Sequence, residues 1–160
     1  MNDRSGARPR RNAPPLPSPP DYRALAEFRH QLRRFLVFSE EKARELGIEP
    51  QQHQLLLALK GLPLGQRPTI GALAERLQLR HHTVVGLVDR LTQSGLATRR
   101  KSEVDGREIL VGTTLKGERL LKNLSEAHRT ELLSTGPALV RMLEALVAKP
   151  ARKTSTRRKL

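Results

Sequence analysis

One stretch, from Ile70 to Gly112, constrains the fold of this chain more than any other. At its centre, residues 82–92 carry valines and leucines at i, i+3, i+4 and i+7, the spacing of one buried helical stripe. The stripe consists of Val84, Leu87, Val88 and Leu91. The opposite face has small and hydrogen-bonding side chains in place of the usual glutamates and lysines. A slim face rich in donors suits a helix that enters a groove.

A shorter helix is expected directly before this one. The segment Gly71–Leu77 contains Ala74, a small residue that lets two helices cross closely, as in a helix-turn-helix. Gln78 occupies the tight turn, where glycine is frequent, and glutamine adopts a left-handed backbone less easily. Helix pairs rich in alanine and leucine are common in protein cores, so the pair alone does not establish a DNA-binding motif.

A two-stranded ribbon is expected after the helices. Gly95 fits a helix C-cap, and strands are predicted at 96–100 and 108–112, joined by a turn at Asp105-Gly106. The ribbon carries a cluster of basic residues, the charge pattern of a phosphate or minor-groove contact. These residues are Arg99, Arg100, Lys101 and Arg107. Together the helices and the ribbon predict a winged helix.

Candidate DNA contacts lie on the slim helix face and on the ribbon. Arg80 and Thr83 are the first choices for contacts to bases or nearby phosphates. The next candidates on the same helix are His81, His82, Val85 and Arg90. Arg107 could enter a narrow minor groove. Alternatively, Asp105 holds Arg107 in an ion pair that only shapes the turn, and both roles stay open.

These residues resemble the MarR family of bacterial transcriptional regulators. The motifs that carry the resemblance are Leu73–Leu77, Leu87–Leu91 with Gly95-Leu96, Asp105–Arg107, and Leu115–Gly117 after Thr113-Thr114. Their order and spacing match over about residues 22–149. The resemblance implies a homodimer with interlocking terminal helices and one winged helix per subunit on a palindromic operator. It also implies that a small, often aromatic or phenolic, ligand releases a repressor, as in many relatives.

Composition narrows the architecture further. Hydrophobic residues make up 37% of the chain but aromatics only 2%, so the core must consist mainly of leucine, valine and alanine. A single chain then buries only a modest apolar area. An elongated protomer that dimerises would bury more. Cysteine is absent, which excludes disulfides, cysteine-ligated zinc and a thiol redox switch.

The net charge of +14 is concentrated in two tails and the ribbon. Residues 1–20 contain four arginines, one aspartate and six prolines, and we expect a disordered arm without the apolar region of a signal peptide. Residues 150–160 are expected to form a disordered basic tail. The arm is interpreted as a solvated leader, with DNA tracking as the alternative. Such a chain should be attracted to polyanions.

The outer segments are predicted to be dimerisation helices, at about residues 21–46 and 114–148. The first would start at an Asp21 cap and end at Gly47, with a seam of apolar residues at helical spacing. Three seam residues are candidates for the dimer core or, alternatively, for an effector pocket: Phe28, Leu32 and Phe35. The second would start at a Thr114 cap and break at Gly136-Pro137 before a final helix.

Between them lies the predicted DNA-binding region, residues 50–113. Pro50 is expected to open a helix, and Thr69-Ile70 to add a short third strand. The predicted fold is therefore mainly α (α+β), a winged helix-turn-helix with long terminal dimerisation helices, and one domain over residues 21–149.

Neither catalytic nor cofactor motifs are recognisable in the sequence, and we expect no enzyme, no metal and no membrane span. His81 and His82 point about 100° apart on a helix and do not chelate one ion readily. His53 and His128 are interpreted as partly buried packing residues. The favoured function is a cytoplasmic, sequence-specific, dimeric DNA-binding regulator, most simply a repressor. The alternatives are an architectural DNA-binding protein that uses its basic tails, and a winged helix for protein–protein contacts.

Overall fold

The computed structural model describes residues 19–147, which form five helices and one two-stranded sheet. In chain order the elements are α1 (Pro19–Glu45), α2 (Pro50–Lys60), α3 (Ile70–Leu77), α4 (His81–Gln93), β1 (Ala97–Lys101), β2 (Ile109–Thr113) and α5 (Leu115–Val147). The predicted basic tail lies outside the described residues, as does the predicted arm apart from Pro19 and Pro20. The predicted class, a mainly α winged helix, is confirmed.

Helix α1 begins at Pro19, two residues earlier than the predicted Asp21 cap. Proline suits a first helical turn because its φ is already helical and its missing N–H has no partner there. The helix ends as expected before Gly47, whose φ of 79° is left-handed. Ile48 N–H then donates to Ala43 O at 3.1 Å, and both residues are buried, which closes the helix end over the core.

The three short helices form the compact part of the core. Glu49 and Gln52 cap α2 reciprocally, and the Thr69 hydroxyl caps α3 by accepting from Ala72 N at 3.1 Å. Gln78 adopts the left-handed conformation of a tight turn, with φ at 53°, although glutamine was expected to disfavour it. The predicted stripe of α4 is buried against leucines of α2 and α3, so local periodicity identified these helices correctly.

The sheet is a single antiparallel ribbon in which Arg99 lies opposite Val111. The predicted third strand is reduced to one bridge between Thr69 and Leu110, supported by Val111 N donating to Pro68 O at 2.9 Å. Helix α3 starts at Ile70, so the chain turns away before a strand can extend.

Helix α5 starts at the predicted Thr114 cap, whose hydroxyl accepts from Gly117 N at 3.0 Å. It continues through Gly136 and Pro137 to Val147, so the predicted break is wrong. Proline removes one hydrogen bond to the carbonyl four residues earlier but keeps a helical φ.

The outer halves of α1 and α5 bury little of their apolar surface within one chain. Leu25 and Leu32, which the sequence placed in a packing seam, are 44% and 40% exposed. The far half of α5 shows the same pattern at Val140, Leu143 and Val147. Fully buried leucines and valines instead concentrate in α2, α3 and α4. In the described part of the chain, no helix is long and apolar enough to cross a membrane.

Candidate nucleic-acid interface

Helix α4 presents its polar face outward because its apolar stripe is turned into the core. Val84 and Val88 are completely buried, which fixes the rotation of the helix about its axis. Most of the predicted contact residues lie away from the core: Arg80, His81, His82 and Arg90 are exposed and Thr83 is half-buried. Val85 is also half-buried, but it packs against the edge of the core. Arg80 occupies the N-cap position and makes no side-chain cap.

The wing displays its basic residues along β1. Ala97 is buried at the start of this strand, whereas Arg99, Arg100 and Lys101 are exposed. Strand β2 buries Leu110 and Val111, of which Val111 belongs to the hydrophobic core and holds the ribbon there. The wing thus has an anchored base and a cationic strand.

At the wing turn, Asp105 braces the backbone. Its Oδ1 accepts from Arg107 N at 2.9 Å, and Glu108 N donates to Asp105 O at 2.9 Å. Among the described residues, the expected ion pair between the Asp105 and Arg107 side chains does not form. A short aspartate side chain reaches the N–H two residues ahead more readily than a guanidinium. Arg107 is left exposed beside the turn.

Arg99 has a partner that the sequence did not reveal. Its guanidinium pairs with Asp89 on α4, so an ion pair joins the wing to the helix with the slim polar face. The two residues lie ten positions apart on different elements, and no local periodicity relates them. Arg99 is therefore partly neutralised and is not an isolated cation.

A cleft of about 300 Å³ separates α4 from the wing. It brings four predicted contact residues onto its walls: His81, Val85, Arg99 and Arg107. Six other predicted contacts do not line the cleft: Arg80, His82, Thr83, Arg90, Arg100 and Lys101. Glu108 also faces this cleft and carries the opposite charge.

Two residues that sequence reasoning missed support the wing from beneath. Arg67, in the loop before α3, contacts Glu108 at 2.6 Å and also hydrogen-bonds Ser102. Ser102 is 5% exposed and accepts from the backbone N–H groups of Val104 and Asp105, each at 3.1 Å. The signal in the sequence was weak, because a lone arginine and a serine fit no motif.

A larger cavity, of about 630 Å³, lies between α1, α2 and α5. Phe35 lines it as proposed for an effector pocket, but Phe28 and Leu32 do not. Most of the remaining wall is apolar, including Leu36, Leu57, Leu132 and Leu133. Arg129 adds a guanidinium to this wall.

His53 and His128 stack on each other in the cavity wall, with ring centroids 4.9 Å apart and ring planes inclined by 27°. His128 Nδ1–H donates to Leu124 O, and its Nε2 is 2.7 Å from Ser39 Oγ. The ring edges of Phe35 and Phe38 also meet His128. Burial, and to a lesser extent the charge of His128, lowers the pKa of His53 to about 4. His53 is therefore neutral near pH 7, as packing residues usually are.

No group of three or more potential metal ligands occurs among residues 19–147. His81 and His82 contribute separately to the surface, and of these two only His81 lines the cleft beside the wing.

The helix pair, the slim outward face of α4 and the ribbon beside it define a winged-helix protein. A model of the MarR family matches residues 46–108, which run from the end of α1 to the wing. This part of the chain is similar to the MarR family. Among proteins with curated annotation, none matches the chain significantly.

Solved structures show the fold over most of the chain. AbsC, a MarR family transcriptional regulator from Streptomyces coelicolor, has a TM-score of 0.67 at 15% identity and covers 82% of this chain and 92% of its own. A single-residue mutant of S. aureus MepR bound to an oligodeoxyribonucleotide has a TM-score of 0.59 at 23% identity, covering 78% and 97%. Reduced AbfR bound to DNA has a TM-score of 0.54 at 25% identity, covering 80% and 95%.

Proposed function

We propose that this chain is a dimeric, sequence-specific DNA-binding regulator of transcription. The observation that carries the proposal is the cleft between α4 and the wing, which gathers His81, Arg99 and Arg107 beside a slim helix face. A duplex can place its major groove on α4 and its neighbouring backbone or minor groove on the wing. The DNA-bound MepR and AbfR structures share this fold, which supports the same use here.

In the proposed complex, each subunit of a homodimer reads one half of a palindromic operator. Half-site centres should lie about one helical turn apart, ~34–36 Å. Arg80 and Thr83 would contact bases or nearby phosphates from α4, while Arg100 and Lys101 would act on the backbone from the wing. The simplest outcome of such binding is repression, and we infer that the protein acts in the cytoplasm.

The experiment that tests this function is selection of DNA fragments from a random pool by the purified protein. We expect a motif with dyad symmetry, protected symmetrically in footprints. The ratio of operator to random-DNA affinity, measured at stated salt, separates a regulator from an architectural protein. A ratio near one, or protection without symmetry, would favour the architectural alternative.

We infer in addition that the cavity between α1, α2 and α5 holds a small aromatic effector. Its apolar walls fit a flat ring, and Arg129 offers a charge for an acidic substituent. Leu57, which is 50% exposed, lines the cavity from α2, the helix that packs on α3 and α4. A bound ligand can thus act on the DNA-binding region.

A panel of substituted phenols and benzoates tests the effector proposal. A binding compound should raise the unfolding temperature and release the selected operator. Leu57→Trp, which fills the cavity mouth, should abolish the thermal shift while leaving operator binding intact. A shift that persists in Leu57→Trp would place the ligand elsewhere.

A further inference from the structure

Arg67 lies in the loop before α3, outside both elements proposed to touch DNA, yet its guanidinium joins two residues of the wing. We propose that Arg67 is a positioning residue that holds the wing against the helix-turn-helix and neutralises Glu108 for DNA binding. This inference rests on the proposed DNA-binding function. It concerns how the wing is held, and not which bases are read.

The first connection runs to Ser102, at the end of β1. This serine is buried, and its Oγ accepts from Val104 N and Asp105 N at the start of the wing turn. Arg67 donates to the same Oγ. The position of the turn is therefore linked through one buried hydroxyl to the loop before α3.

The second connection runs to Glu108, at the other side of the turn. Arg67 Nη1 lies 2.6 Å from Glu108 Oε2, an oxygen that is itself buried. Among the described residues no donor is well aligned with this oxygen, so the pairing is a close charge contact and not a directed hydrogen bond. Without Arg67 this carboxylate would lose its compensating charge, and because the Glu108 side chain as a whole is 37% exposed, the uncompensated charge would also act on the solvent side.

Glu108 lies where its charge can affect DNA binding. The carboxylate faces the same cleft as His81, Arg99 and Arg107, where a phosphate would approach. An uncompensated negative charge there repels the duplex, whereas the paired carboxylate does not. Arg67 thereby protects the positive potential of the cleft without contacting DNA itself.

Backbone contacts next to Arg67 also connect the loop before α3 to the wing. Pro68 O accepts from Val111 N, and Thr69 forms a β-bridge with Leu110, so the two residues after Arg67 are bonded to β2. On the opposite side, Asp89 and Arg99 join the wing to α4. The Arg67 side chain extends this connection from the loop to the wing turn.

A double-mutant cycle on DNA selected by the wild-type protein tests the proposal. Arg67→Gln should weaken binding by about tenfold, and Glu108→Gln alone should change it little. The combined variant should regain most of the lost affinity, because no carboxylate then needs compensation. Arg67→Lys should lie between wild type and Arg67→Gln, since one ammonium replaces the fork that reaches both partners. Additive effects would show that the loss does not pass through Glu108 and would overturn the inference.

Hydroxyl-radical footprints supply a readout that a general loss of stability would not give. Arg67→Gln should lose protection of the sugars beneath the wing and keep that beneath α4, in a protein that is still folded at the assay temperature. Arg76→Gln, an exposed cation on α3, removes the same charge and should leave both regions protected. Uniform loss over the half-site would overturn the inference. If the wild-type protein selects no DNA motif, the proposed function itself fails.

Discussion

Arg107 has its backbone N–H held by Asp105, whereas its side chain stands exposed beside the wing turn. We expect Arg107→Ala to weaken operator binding by about tenfold and to reduce the salt dependence by about one counterion. Competition binding across a salt series measures both. Arg119→Ala, an exposed cation on α5, is the matched control and should change neither quantity.

Asp105→Ala tests whether the shape of the turn matters for the same contact. It removes the acceptor of Arg107 N and should weaken operator binding by a smaller factor, since the guanidinium remains. Stability should change by only ~0.5–1.5 kcal/mol, the usual value of one such hydrogen bond. If both Arg107→Ala and Asp105→Ala leave operator affinity unchanged, the wing turn is not a DNA contact.

His53 makes folding stability depend on pH. Its pKa falls from the ordinary 6.5 to about 4 on folding, mainly through burial and then through the charge of His128. The unfolded chain therefore binds the proton more strongly, so stability is full above about pH 6.5 and declines towards pH 4. The loss should be on the order of 2 kcal/mol, most of it from the burial that disfavours the charged ring.

Urea unfolding at a series of pH values measures this slope. His53→Gln should flatten the decline between pH 6.5 and 4, whatever its effect on absolute stability. His30→Gln alters an exposed histidine on α1 and should keep the wild-type slope. An unchanged slope in His53→Gln would contradict the assignment.

At the scale of elements, α5 contains two glycines in opposite surroundings. A Cβ on Gly117 would overlap the carbonyl oxygen of Leu96, whereas one on Gly136 would meet no heavy atom within 4 Å. Gly117→Ala should therefore destabilise the protein, with strain outweighing the gain in helix propensity. Gly136→Ala should stabilise it by ~0.5–1 kcal/mol. Chemical denaturation of the two variants gives the comparison, and equal effects would contradict the close packing at Gly117.

Elements that depend on short-range sequence patterns were predictable from the sequence. The buried stripe of α4, the caps at Thr69 and Thr114, and the left-handed Gly47 all follow from spacing and residue type over a few positions. The predicted break at Pro137 failed because the fixed φ of proline is compatible with a helix. The helix continues through this exposed residue at the cost of one backbone hydrogen bond.

The candidate site was predictable only in part. The slim face of α4 and the basic ribbon are local features, and the cleft brings four of the predicted residues together. The pairs Asp89–Arg99 and Arg67–Glu108 join residues from separate elements, and their partners become visible only once the chain has folded. The stacked histidines, 75 positions apart, were recognised singly as packing residues but not as a pair.

At the scale of the whole molecule, the exposed apolar faces of α1 and α5 favour association with a second copy of the chain. We expect a homodimer at micromolar concentration by light scattering. Phe28→Asp should dissociate or unfold it, because a lone charge in an apolar interface is costly. Lys122→Asp, on the exposed side of α5, should leave the dimer intact. A stable wild-type monomer would contradict this architecture.

The tails should affect affinity without affecting the choice of sequence. Residues 1–20 and 149–160 contain four and six basic residues and lie mostly outside the described part of the chain. Their removal should weaken random-DNA binding and flatten its salt dependence through fewer released counterions. Operator preference should persist. Loss of that preference would instead indicate minor-groove readout by a tail.

The attachment of α5 makes this helix a lever. Its first turn is fixed to the end of α4, where Lys116 Nζ donates to Ser94 O at 2.9 Å and Gly117 lies directly against Leu96. With 33 residues it reaches about 50 Å from that pivot, so a tilt of ~5° moves the far end by roughly 4 Å. In the proposed dimer, the far arms meet the partner and the pivots carry the reading helices. We therefore expect substitutions in the distal arm to change the preferred spacing between half-sites while every DNA-facing residue stays the same.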